Sequence, residues 1–138
     1  MLTETDIVLR FVIATVIGLL IGFSRRRKPA GIRTFALICL GSTIFTVVSI
    51  SDAVDSLDKG RIIAQIVAGI GFIGLGVIWR SRNDKPTGLT TAAGIWVTAA
   101  VGVLIGLGLW IEVASGTLLT LLILFLKDPL KKTGLDAS

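Results

Sequence analysis

The chain has 138 residues, 53% hydrophobic and only 17% charged, against about 25% charged in soluble domains. With no His, no Tyr and a single Cys (Cys39), it cannot build a His-based triad, a Cys/His zinc site or an internal disulfide. A net charge of +5 in so apolar a chain points to basic cytoplasmic loops, and no aromatic platform accompanies the bases as nucleic-acid binding would require.

A spanning helix needs roughly 20 mainly apolar residues, about 17 at the least. The first such stretch is 7–23, with Ala14, Gly18 and Gly22 at every fourth position, the spacing that lets helix backbones approach closely in lipid. It follows acidic Glu4 and Asp6 and ends in Arg25-Arg26-Arg27-Lys28 with no small-residue cleavage site, so a retained span rather than a cleaved signal peptide is expected. The basic run is read as a topology determinant held against anionic lipid, or as a docking surface for an acidic partner.

The second stretch, 34–51, leads into a loop where Asp52, Asp55 and Asp58 stand three apart. If helical, they would share one face. A solvated acidic loop and a weak magnesium site are the two readings, since magnesium takes one or two carboxylates and keeps several waters.

The third stretch, 62–79, holds Gln65 and the run Gly69-Ile-Gly71-Phe-Ile-Gly74-Leu-Gly76. Glycines on more than one face imply a helix surrounded by neighbours. The G-x-G-x-x-G inside this run is not a dinucleotide fingerprint, because no strand precedes it and the next acid, Asp84, comes too early. Gln65 either forms an interhelical hydrogen bond or, with Gly69 and Gly76, lines a cleft for a partner or ion; Gly71 and Gly74 are further binding candidates.

The fourth stretch, 89–105, follows Pro86 and Gly88 and carries Thr90, Gly94, Thr98, Gly102 and Gly106 as a second small-residue stripe. Thr90 and Thr91 are read as helix N-caps, or as an anion site completed by Arg25 and Arg33. The fifth stretch is 109–126. Fusing it with the fourth would make a helix of about 57 Å, almost twice the roughly 30 Å hydrocarbon core, so a turn at Gly106-Leu107-Gly108 is expected. Residues 127–138 form a short tail.

Eleven of the fourteen Lys and Arg residues follow the first, third and fifth stretches. By the positive-inside rule this puts the N-terminus outside and the C-terminus in the cytoplasm. The expectation is an all-α bundle of five transmembrane helices in a single domain. Glycine stripes on several helices make a homo-oligomer plausible. No ionisable residue lies near the middle of a span, the closest being Arg10 and Glu112, which weakens a pump or transporter reading. No activated nucleophile with a base nearby is visible, so no enzyme is expected.

Several ordered motifs together resemble the MgtC/SapB family of inner-membrane proteins. They are Gly18 through Gly22, Pro29-Ala-Gly-Ile-Arg33-Thr34, Leu40-Gly41, Arg61-Ile-Ile-Ala-Gln65, the glycine run 69–76, and Gly88-Leu-Thr90-Thr91-Ala-Ala93 with Trp96, Ala99, Ala100 and Gly102. The resemblance implies five spans in this orientation and a role in growth at low magnesium, acid adaptation and virulence. It also implies a partner within the bilayer, the F-type ATP synthase. Two departures stand out: Ser24-Arg25-Arg26 replaces the acid-Arg-acid usual after the first span, and the cytoplasmic ACT-like domain of many members is not expected after the fifth. The resulting expectation is a non-enzymatic, cofactor-free protein, apart from any weak magnesium, that binds a membrane partner. A magnesium or other divalent-cation transporter is the alternative.

Overall fold

The computed structural model describes residues 2–26, 30–51, 54–78 and 87–126. It is all-α over these residues, with helices α1 (Glu4–Phe23), α2 (Ile32–Ile50), α3 (Ser56–Ile78), α4 (Leu89–Leu107) and α5 (Trp110–Phe125). Four of them, α1 to α4, are long and apolar enough to cross a membrane.

Local chemistry sets the helix ends. Thr3 opens α1 with a capping box: the Asp6 N–H donates to Thr3 Oγ1 and the Thr3 N–H to Asp6 Oδ2, each at 3.2 Å, so two orphan donors are satisfied reciprocally. The α3 helix starts at Ser56, earlier than the apolar run at 62, because Asp58 favours the positive end of the helix dipole and pairs with Arg61 at 3.2 Å. Between α4 and α5 the chain turns through Gly108 at φ 78, a conformation that disfavours any residue with a Cβ. The N–H of Gly108 reaches back to Ile105 and that of Leu109 to Leu104, satisfying the last carbonyls of α4. The expected division of the long apolar stretch is therefore present, with α4 running two residues past Ile105. The α5 helix is correspondingly short: its 16 residues rise about 24 Å, because Leu109 is used in the turn and Leu126 leaves the helical conformation at ψ 119.

The α2 and α4 helices run parallel and form the inner pair. Phe35 packs on Gly94, Cys39 and Ser42 on Gly102, and Thr43 and Thr46 on Gly106. The α1 helix lies antiparallel to α2, with Gly18 against Ala36 and Gly22 against Ile32. The contact is backbone to backbone: a methyl group at Gly18 would fall 2.6 Å from Ala36 Cα, and one at Gly22 2.7 Å from Ile32 Cα. Both small-residue stripes thus close on α2, with Ala14 fully buried beside Cys39, Val101, Ile105 and Val113. A second apolar cluster joins Ile21, Phe35, Ile95 and Ala99 nearer the start of α2 and α4.

The surrounded position expected for α3 is not what forms. Among the described residues it touches only α2 and α4 and is largely exposed, and added methyl groups at Gly69, Gly71 and Gly76 would meet nothing within 4 Å. Glycine permits close approach without enforcing it, and the backbones that need it here belong to α1, α2 and α4.

Candidate functional site

Because α3 is held at the periphery, it leaves a groove of about 720 Å³ against α2. Most of its wall is apolar, but Thr34 and Ser42 from α2 and Gln65 from α3 also line it, with Gly41 and Gly69 keeping the floor open. Ser42 is 3% exposed. Neither its hydroxyl nor the Gln65 amide has a hydrogen-bond partner among the described residues. An amide without a partner in hydrocarbon costs several kcal/mol, so this groove presents unsatisfied polar groups to whatever fills it. The interhelical bond considered for Gln65 is not made among the described residues. On the other side of α3, Gly71 and Gly74 line a shallower groove against Ala92 and Trp96 of α4. The candidate glycines Gly69, Gly71 and Gly74 therefore divide between two faces, and Gly76 lines neither groove.

The remaining sequence candidates gather where α1 ends and α2 and α4 begin. Arg33 and Thr90 are exposed in the first turns of α2 and α4, while Thr91 is 2% exposed. Neither threonine is the N-cap; that position is Gly88 at φ 88, and the α2 N-cap is Gly31, neither with a side-chain cap bond. The reason is local, since a glycine at positive φ turns the chain sharply into α4 and puts both threonines inside the helix. Arg25 lies at the same end, 8% exposed, with its Nε buried and unbonded among the described residues. Burial pushes its guanidinium below the ordinary arginine value. Arg26, by contrast, is exposed and stacks 4.6 Å over the Phe23 ring. Gln65 belongs to the other half of the bundle: about 18 Å of helix separates it from Val77, whose carbonyl approaches Gly88.

The three aspartates proposed as a weak magnesium site are described only in part. Asp52 lies outside the described residues, Asp55 precedes α3, and Asp58 is engaged by Arg61. No group of three metal-ligating side chains occurs among the described residues.

Two residues that the sequence did not mark as site candidates, Ser42 and Arg10, matter to this geometry. Ser42 belongs to a buried polar row on α2 with Thr43, Thr46 and Ser49, detectable as hydroxyls recurring every three or four positions in an apolar span. Arg10 reaches across the bundle to donate to the Gly106 carbonyl and lies 6.0 Å from the Trp110 ring. Nothing in its local sequence announces that long-range partner.

Comparison with known proteins agrees with the helical membrane architecture. The MgtC family matches residues 11–133. Protein SapB of Bacillus subtilis (strain 168) is 43% identical over 112 residues, covering 75% of this chain and 48% of that protein. The "Putative magnesium transporter YhiD" of Escherichia coli (strain K12) is 44% identical over 128 residues, 86% of this chain and 59% of that one. Protein MgtC of Salmonella typhimurium (strain LT2) is 46% identical over 102 residues, 72% and 43% respectively. The chain thus spans about half the length of the curated relatives it matches. No solved structure matches. With nearly its whole length matched and relatives above 40% identity, the chain is a member of the MgtC family.

Proposed function

We propose that this protein acts without catalysis in the inner membrane, helping the cell adapt to low magnesium or acid by binding a helix of a membrane partner in the α2–α3 groove. The observation that carries the reading is the unpaired Gln65 amide beside buried, unpaired Ser42 in a groove kept open by Gly41 and Gly69. A partner helix with small residues and a polar side chain would satisfy both groups and gain close packing. The F-type ATP synthase is the partner that the family resemblance implies.

Affinity capture of the intact protein from native membranes tests this. Gln65→Ile and Gly69→Leu should each lose the captured synthase, while Leu119→Ile on exposed α5 should keep it. Equal recovery from all three would remove the groove from partner binding. The name of the Escherichia coli relative, "Putative magnesium transporter YhiD", favours a second reading, magnesium transport. Magnesium flux into liposomes containing only this protein would support transport, and the binding reading expects none.

A further inference from the structure

We propose that Arg25, together with the first turns of α2 and α4, forms a binding site for a phosphate group, supplied by an anionic phospholipid headgroup or by free phosphate. Ile21, Phe35 and Ile95 pack in one cluster. One helical turn further toward this end of the bundle stand Arg25, Gly31 and Thr91, each four positions from its cluster residue. The chain is still turning at Arg25, whose N–H donates to the Gly22 carbonyl at 2.9 Å, so helical register carries its side chain beneath the cluster. There it is 8% exposed, its Nε is sealed from solvent, and no hydrogen bond reaches it among the described residues.

The partners for an anion converge on the same place. The first intrahelical bonds are Phe35 N–H to Gly31 and Ala92 N–H to Gly88. This leaves the amides of Ile32, Arg33 and Thr34, and of Leu89, Thr90 and Thr91, without helical acceptors. Neither helix has a side-chain cap. Because α2 and α4 are parallel, their positive dipole ends add at one end of the bundle. Every described carboxylate is on the opposite half: Glu4 and Asp6 open α1, Asp55 and Asp58 open α3, and Glu112 opens α5. The Arg25 side chain, 8% exposed and with its Nε unbonded among the described residues, lies at the end of the bundle where two uncapped helices start, an arrangement matched by a tetrahedral oxyanion that accepts bonds from both.

The experiment uses the full chain in phospholipid-free neutral detergent at fixed ionic strength. Thermal unfolding is followed while inorganic phosphate, phosphatidylglycerol or, as control, phosphatidylcholine is added. The wild type should show a saturable rise in Tm that Arg25→Gln needs at least tenfold more of the probe to reach, with exposed Arg26→Gln behaving as wild type. A response to phosphatidylglycerol alone assigns the headgroup, a response to inorganic phosphate alone assigns free phosphate, and a response to both assigns the phosphate group from either source. Without probe, Arg25→Gln should be no less stable than wild type, because it removes the charge of a largely buried side chain that has no partner among the described residues. No probe response in the wild type, an Arg25→Gln titration matching wild type, or an equal loss in Arg26→Gln would overturn the site.

Discussion

The hydroxyl of Thr43 lies 2.9 Å from the carbonyl of Gly102, a contact between α2 and α4 across 59 positions of sequence. It exists because Gly102 has no side chain: a Cβ there would be driven into the Cys39 carbonyl and would lie 2.8 Å from Ser42 Cβ. The same hydroxyl is also 2.9 Å from the Cys39 carbonyl one turn back. One side chain therefore ties the helix to itself and to its neighbour.

Substituting Ala for Gly102 or Gly106 should lower stability by about 1–3 kcal/mol, the usual cost of forcing a methyl group into a filled contact. Gly116→Ala on α5 meets open space and should be neutral or stabilising by up to about 1 kcal/mol through helix propensity. Denaturant titration in detergent compares the three. Equal effects would show that the α2–α4 seam does not depend on close backbone approach.

Arg10→Gln should destabilise the protein by about 1.5–3 kcal/mol, the range for hydrogen bonds to charged groups. The guanidinium donates to Gly106 at the negative end of α4 and lies near Trp110. Arg10→Lys should lose less because it keeps the charge. Parallel unfolding curves for the two variants check the order, which a purely steric role for Arg10 would not produce.

Thr43 and Thr117 should respond oppositely to valine. Thr117 Oγ1 is buried with no partner among the described residues, so Thr117→Val removes an unsatisfied group at constant shape and should be neutral or stabilising. Thr43→Val breaks the Gly102 contact and should cost about 1 kcal/mol. Thermal unfolding of both variants in the same detergent is sufficient, and a loss for Thr117→Val as large as that for Thr43→Val would contradict the assignment.

The orientation follows from the basic residues and is tested with thiols. Cys39 is fully buried and should remain silent to impermeant reagents. Cysteines introduced at Asp58 and Thr87, which are exposed at opposite ends of the bundle, should label from outside and from the cytoplasm respectively. Labelling of both from one side would remove the orientation.

Much of this architecture was legible because length and apolarity are local quantities. The five helices follow from runs of apolar residues, and the Gly108 turn follows from comparing an overlong run with the bilayer. The Gly18–Gly22 and Gly102–Gly106 stripes identify real contacts because their spacing matches the helix. The α3 glycines obey similar spacing and yet face outward, since spacing does not say whether a second backbone is present. The caps of α4 were misplaced for a related reason. Threonine is a good cap, but Gly88 reaches a backbone angle that threonine disfavours, and the helix begins there. Arg25 was legible as a basic residue near a boundary, whereas its burial depends on Ile21, Phe35 and Ile95 meeting.

The parallel pairing of α2 and α4 also dictates an order of assembly. The α1–α2 hairpin joins neighbours in sequence and can close as soon as both helices have left the ribosome. The seam from Thr43 to Gly102 cannot form until α3 has been inserted and the chain has returned through the membrane. During that interval Ser42, Thr43 and Thr46 face lipid or the insertion machinery rather than α4. Synthesis at about 5–20 residues per second makes the wait several seconds, long enough for a chaperone or a quality-control protease to recognise the uncovered hydroxyl row.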